Sequence, residues 1–227
     1  MADAPVDPND VDDDELRAAD GRVPGRRGLA TRQRLLEHTE AMLRESSYRE
    51  LKVIDIAREA GTSPATFYQY FPDVEEAILV LATEAAHNGA ALTEIATAGP
   101  WTGTAGYDTA VRLVEAFFDF WGSHSSVLRV VDLATAQGDD RFRQVRVRLL
   151  NEIATALAQV NRHFITKGKV PAGLDPMAQA GVVVSMLAHV SDHQMGFEFW
   201  GIKTKDIKSS MARQVFWTIT GQKPPAP

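Results

Sequence analysis

Val53-Ile-Asp-Ile-Ala-Arg-Glu-Ala-Gly-Thr-Ser-Pro-Ala-Thr-Phe-Tyr-Gln-Tyr-Phe-Pro-Asp73 holds two short amphipathic segments with a glycine between them. Ile56, Ala57 and Ala60 share one face of a short helix that stops at Gly61, a residue suited to the left-handed position past a helix end. Ser63 is a good N-cap and Pro64 a good first helical residue, so a second helix starts at once. Phe67 and Phe71, four apart, point inward. Ala65, Thr66, Tyr68, Gln69 and Tyr70 are left outside. This is a compact helix-turn-helix spanning Ile54–Phe71. In that geometry the first helix props the second, so that its N-terminal face enters a major groove about 12 Å wide. The outward residues are polar, hydrogen-bonding and free of acidic charge, which suits phosphates and base edges. The same shape is common in helical proteins that bind no nucleic acid, and aromatics at this spacing are often plain core.

Upstream, Thr31 is placed to cap a helix carrying Leu35, Leu36, Thr39, Met42 and Leu43 on one face. Tyr48–Lys52 makes the turn into the motif. Before Thr31 comes a short basic arm, Arg22-Val-Pro-Gly-Arg26-Arg27-Gly28. Residues 1–21 read as a disordered acidic tail: from Asp3 to Glu15 there are seven acidic residues and no basic one. The net charge of −6 argues against a nucleic-acid partner until its distribution is seen. Between Arg22 and Pro72 nine Arg/Lys face six Asp/Glu, a local excess of +3.

Downstream, Asp73 with Glu76 is a capping-box pattern, opening a fourth helix through Ile78, Leu79, Leu81 and Ala82 to about Thr97. Gly99–Gly106 reads as a linker. Three helical stretches follow, roughly Tyr107–Gly122, Ser125–Gln137 and Asp139–Lys167. Asp175 and Pro176 then start a long helix to Trp200, and a last helix runs from a cap at Thr204 to Thr220. No strand-like alternation and no internal repeat is present. The expected fold is all-α with about nine helices: a three-helix unit at 22–72 with the basic arm, a larger helical domain at 73–222 and a short tail at 223–227.

Composition narrows the classes. With 44% hydrophobic and 24% charged residues the 227-residue chain is an ordinary globular protein. It has no cysteine, which excludes disulfides, thiolate zinc sites and a cysteine nucleophile. It offers no 18-residue apolar run and no secretory leader, so a cytoplasmic protein without membrane contact is expected.

The quoted stretch closely resembles the signature of the TetR family of transcription regulators. Asp55-Ile56-Ala57, Ala60-Gly61-Thr62-Ser63, Thr66-Phe67-Tyr68 and Tyr70-Phe71-Pro72 fall in register with it. Phe117-Phe118 and Gly122-Ser123-His124 also look like the fifth helix of the mycobacterial regulator of ethionamide activation. The resemblance implies a homodimer whose paired recognition helices read half-sites of a palindromic double-stranded DNA operator. It carries over Thr66 and Tyr68 as DNA-facing positions, with Tyr68 on a phosphate, and Ser63 and Tyr70 are further expected DNA contacts. Ala65 and Gln69 would face bases, glutamine being able to pair with adenine. Lys52, Arg26 and Arg27 are expected at phosphates or the minor groove. One departure stands out: the family usually has a lysine where this chain has Val74.

The remainder reads as a sensor and dimer domain. Pro176–Trp200 is apolar around most of its circumference, so it needs cover from its own subunit and from a second copy. By the resemblance, it and the last helix form a four-helix bundle across the dimer axis. Phe117, Phe118, Phe120 and Trp121 exceed one core face, so some should line a pocket. The expected lining is Phe117, Trp121, Leu150, Ile153, Ser191, Asp192 and Met195, around a largely hydrophobic small-molecule effector. Effector binding would release a repressor from DNA. His189 and His193, four apart beside Asp192, have a spacing that can chelate a metal. No third ligand is evident, and interface or pocket histidines are the preferred reading. No cofactor and no enzymatic activity are expected. The rivals are a ligand-independent architectural DNA-binding protein of this fold and a metal-dependent helical enzyme.

Overall fold

The computed structural model describes residues 25–226, so the acidic tail at 1–21 and Arg22 of the arm lie outside the described residues. The described chain forms ten α-helices and one 3-10 turn, with no strand among the described residues. In order these are α1 (Arg26–Glu45), a 3-10 turn (Tyr48–Glu50), α2 (Val53–Glu59), α3 (Pro64–Tyr70) and α4 (Val74–Asn88). Then follow α5 (Ala90–Ala98), α6 (Gly103–Ala136), α7 (Asp140–Thr166), α8 (Pro176–Asp192), α9 (Gln194–Phe199) and α10 (Thr204–Thr220).

The all-helical fold is as the sequence implies, and the differences lie in how segments join. Thr31 does not cap α1; it lies inside it, its hydroxyl donating to the Arg27 carbonyl at 3.0 Å. The helix begins five residues earlier behind Gly25, which offers no side-chain cap. Arg26 and Arg27 are therefore part of a helix, not of a loose arm. The expected fourth helix divides at Gly89, where a Cβ would stand 2.4 Å from Leu149 Cδ1, because α7 passes close by. The stretches on either side of Gly122 fuse into the 34-residue α6. A helical glycine costs about 1 kcal/mol relative to alanine, a small penalty beside the burial of Phe117, Phe120, Trp121, Val127 and Leu128 around it. The expected linker is shorter than read: Trp101 is buried, its indole N–H donating to the Ala96 carbonyl at 2.9 Å, and α6 starts two residues later. The long helix to Trp200 breaks at His193 into α8 and α9. The last helix starts behind Lys203, not Thr204.

Two apolar cores result. One joins α1, α2 and α3 to the first half of α4 and runs on into Val127, Val130, Val131 and Ala134 of α6 and Phe142 of α7. The other is built by α5, α6, α7, α8 and α10. The N-terminal three-helix unit is thus bolted to the larger domain through shared apolar packing. Arg141, at the start of α7, adds a polar clamp: it donates to both Asp139 carboxylate oxygens and to Glu76 of α4 at 3.0 Å.

Candidate functional site

α2 and α3 have the expected helix-turn-helix form. Gly61 adopts φ 66°, the left-handed conformation, and turns the chain after α2. Ser63 caps α3: its hydroxyl accepts from the Thr66 amide at 3.2 Å and lies 3.0 Å from the Thr66 hydroxyl. Phe67 is fully buried and Phe71 nearly so, their ring centroids 5.4 Å apart. Arg32 of α1 covers the Phe71 ring at 5.3 Å. The two phenylalanines fix the roll of α3 about its axis, and that roll decides which residues face out.

Ala65, Tyr68 and Gln69 are exposed, with Tyr68 retaining 52% of its surface. Thr66 and Tyr70 are half-buried, and the Tyr70 ring leans on Phe71 at 6.4 Å. Ser63 is exposed with its hydroxyl engaged in the cap. Lys52, the backbone N-cap of α2, is exposed, as are Arg26 and Arg27 in the first turn of α1. The surface is polar and uncharged along α3, with cations at the heads of α1 and α2. Such a face can hydrogen-bond to phosphates and base edges. Val74 opens α4 between Asp73 and Glu75, and the Asp73 carboxylate accepts from the Glu76 amide at 2.7 Å. No cation stands at that position.

Around the larger domain's core the four aromatics of α6 are all buried, because neighbouring helices cover most of α6 and leave only a stripe through Arg112, Glu115, Asp119 and Ser123 in solvent. Phe117 and Trp121 stack at 5.3 Å, Phe120 lies 4.8 Å from the His124 ring, and Lys208 of α10 stands over Phe118 at 5.0 Å. A cavity of about 60 Å³ opens beside Trp121. Leu128, Val131, Leu149, Leu150 and Ala188 form its apolar wall, and Asp132, Arg146, Ser185, His189, Asp192 and His193 its polar rim. Of the expected lining, the structure brings Trp121, Leu150 and Asp192 together there. Phe117 and Ile153 are packed in the core, and Ser191 is buried with its hydroxyl oxygen unpartnered among the described residues. Met195 lies on α9 with 81% of its surface exposed, away from this wall, because the helix breaks at His193. The sequence reading missed Leu128, Val131, Leu149, Ser185 and Ala188 and, at the rim, the ion pair of Asp132 and Arg146 at 2.7 Å. A signal was present: Asp132 lies four after Leu128 and Arg146 four before Leu150, each on its apolar neighbour's helix face.

His189 and His193 stack at 4.1 Å instead of converging on a point, and the His193 Nδ1 lies 2.9 Å from the His189 carbonyl. Among the described residues no group of three or more His, Asp or Glu side chains is arranged to hold a metal. No described helix is long and apolar enough to cross a membrane. The outer faces of α8, α9 and α10 keep large apolar side chains in solvent: Val182, Met195, Phe199, Trp200 and Trp217.

Residues 35–78 match the family model described as bacterial regulatory proteins, tetR family. Residues 92–226, more than half of the chain, match the model described as tetracyclin repressor-like, C-terminal domain. An uncharacterised HTH-type transcriptional regulator of Haemophilus influenzae is 28% identical over 115 residues, 51% of this chain and 55% of that protein. The match thus spans about half the length of this relative. Among solved structures, the fatty acid degradation regulator FadR of Bacillus halodurans superposes with a TM-score of 0.61 at 17% identity, covering 88% of this chain and 97% of its own. FadR of Bacillus subtilis, solved in complex with stearoyl-CoA, gives 0.60 at 17% identity over 84% and 98%. A regulator from Streptomyces coelicolor gives 0.59 at 18% identity over 84% and 80%. At these identities the solved structures speak for the fold alone.

Proposed function

Since the chain belongs to the TetR family of DNA-binding transcription regulators, we propose that it is a homodimeric repressor, released from a palindromic operator by a largely hydrophobic small molecule. The family and fold are those of regulators and not of enzymes. The observation that carries the reading is the roll of α3: with Phe67 and Phe71 buried, Ala65, Tyr68 and Gln69 are turned outward together. Tyr68 and the half-buried Thr66 and Tyr70 serve phosphates, Ala65 and Gln69 face bases, and Ser63 holds the helix start. Arg26, Arg27 and Lys52 supply the cations.

The second copy packs on the outer faces of α8 and α10, where Val182 and Trp217 are exposed and Met186 and Val190 half-exposed. Covering such side chains contributes about 25 cal/mol per Å² of apolar area. The effector enters beside Trp121, with Leu150 at the wall, Phe117, Ile153 and Ser191 behind it, and Asp192 at the rim. Drug-sized ligands need about 300–1,000 Å³, so the 60 Å³ cavity must open, and parting Arg146 from Asp132 is the evident route. The closed cavity also favours a second reading, a DNA-binding protein of this fold that takes no effector.

Two measurements test the proposal. Fragments of the source genome retained by the pure protein should share an inverted repeat. A panel of acyl and aromatic ligands should include one that raises the melting temperature and lowers DNA affinity. An inverted repeat with no responding ligand supports the second reading, and random fragments contradict both.

A further inference from the structure

The cavity beside Trp121 has a polar rim whose charges do not balance. Counted with neutral imidazoles, it carries the carboxylates of Asp132 and Asp192 and the guanidinium of Arg146, a net of −1. We infer that this cavity takes an amphipathic organic cation, a protonated amine on an aromatic or aliphatic body, anchored by Asp192. The inference rests on the effector reading above and gives that effector a chemical class.

Asp192 is the group in need of a partner. Its side chain keeps 17% of its surface, and its one polar contact among the described residues is His193 Nδ1 at 3.4 Å. That nitrogen is already committed. It lies 2.9 Å from the His189 carbonyl, which can only accept, so the N–H at Nδ1 donates there. A carboxylate taken mostly out of water needs hydrogen bonds or a counter-charge to offset its lost hydration. Its position sharpens the need: Asp192 is the last residue of α8, where the helix dipole presents its negative end and favours a cation. A ligand ammonium satisfies the carboxylate and the helix end together. Trp121, buried and stacked on Phe117 at 5.3 Å, is the aromatic wall of the same cavity, and aromatic faces attract cations.

The gate selects the same charge. Arg146 closes the rim on Asp132 at 2.7 Å, with 45% and 51% of the two side chains in solvent. A cation that takes the guanidinium's place at Asp132 leaves Arg146 to swing into water on its flexible stem, a small loss for so exposed a pair. With that ligand bound, the charges of the rim sum to zero. An anion enters only by drawing Arg146 off Asp132. It then faces two carboxylates with one guanidinium to offset them, and the sum is −2. The ligand's apolar body lies along Leu128, Val131 and Leu150 and is held by area, which carries no sign. The head group therefore decides the class.

The experiment uses two sets of probes matched in body and differing in head-group charge: naphthylethylamine, naphthylethanol and naphthylacetate, and octylamine, octanol and octanoate. Each is titrated calorimetrically into the full chain at about pH 8, where primary amines are protonated. Each amine should bind at least about tenfold more tightly than its carboxylate, the low end of what a hydrogen bond to a charged group contributes, with the alcohol between. Asp192→Asn should cut that ratio about tenfold and leave the alcohol within about twofold, which also shows that the variant is folded. Asp132→Asn, at a more exposed position, should cost the amine about two- to fivefold. Arg146→Gln should leave the amine as tight or tighter. If Asp192→Asn loses the alcohol as well, Asp132→Asn decides: a loss for the amine alone supports the inference, and an equal loss or none for all probes overturns it. Tighter binding of the carboxylates, lost in Arg146→Gln, makes Arg146 the anchor and overturns it too. So do equal affinities for the three head groups, or an amine preference that survives in a folded Asp192→Asn. In each of these cases the effector reading stands. Binding by none of the six probes removes the effector reading, and the inference falls with it.

Discussion

Tyr68 and Gln69 are neighbours on α3, both exposed, yet the proposed function gives them different roles, a phosphate contact and a base contact. A phenol on a phosphate fixes register and carries no sequence information. Tyr68→Phe should weaken binding to every duplex alike, by about 1 kcal/mol for one lost hydrogen bond. Gln69→Ala should relax preference at one base pair per half-site, at about 1–3 kcal/mol for a good base contact. Titrating each variant against the operator and a scrambled duplex separates the two. Loss of selectivity in Tyr68→Phe, or a uniform loss in Gln69→Ala, would reverse the assignments. His124 makes a different prediction, because it joins α6 to the DNA-binding unit. Burial against Phe120 pushes its pKa below 6.5, with Glu40 of α1 pulling it up and Arg44 pushing it further down. Between the lowered folded value and 6.5 the unfolded chain binds more protons. Its contribution to stability is therefore full above pH 6.5 and is lost as the pH falls through that window. Chemical denaturation from pH 7.5 to 5 should show a shallower loss for His124→Gln than for the natural chain, and parallel losses would contradict this.

Helices were legible where the signal was local. Gly61, the Ser63-Pro64 start and the Phe67/Phe71 pair act within a few residues, and the α2–α3 motif has the form they imply. Gly61 sits at φ 66° with open space where a Cβ would go. Gly61→Ala should therefore cost about 1–2 kcal/mol from backbone strain alone, with no clash. A melting temperature equal to that of the natural chain would show that the turn tolerates alanine. Elements were misread where a distant partner decided. The fourth helix divides at Gly89, where Leu149 of α7 fills the space a Cβ would take, a distant contact that no local pattern announces. Gly122-Ser123-His124-Ser125 looks like a break, but α6 runs through it because both flanks are buried by other helices. The start of α1 was missed because Gly25 gives no capping side chain to recognise. The cavity was half legible: Trp121, Leu150 and Asp192 meet there, while Met195 is carried off by the break at His193.

Across the whole molecule, the DNA-binding unit and the larger helical domain share a core, and Phe142 is its clearest bolt. It is buried at the head of α7, in one cluster with Leu35, Ile56 and Phe67. Phe142→Ala should cost about 3–5 kcal/mol in denaturant unfolding. A loss below 1 kcal/mol, small beside that range, would mean the two parts are coupled mainly through the Arg141 clamp to Glu76 and Asp139. That shared packing is also how an opening at Trp121 could move α3, since α6 carries Trp121 in one core and Val127, Val130 and Val131 in the other. In a dimer, the two recognition helices fit successive major grooves only at a separation near one DNA turn, about 34–36 Å. The most direct test of the account is selection of bound duplexes from a fully random pool, run with the natural chain and with a Thr66→Ala/Tyr68→Ala/Gln69→Ala variant. The account predicts an inverted repeat with half-sites about one turn apart for the natural chain, and no enriched motif for the variant. The same motif from both proteins, or none from the natural chain, would contradict it.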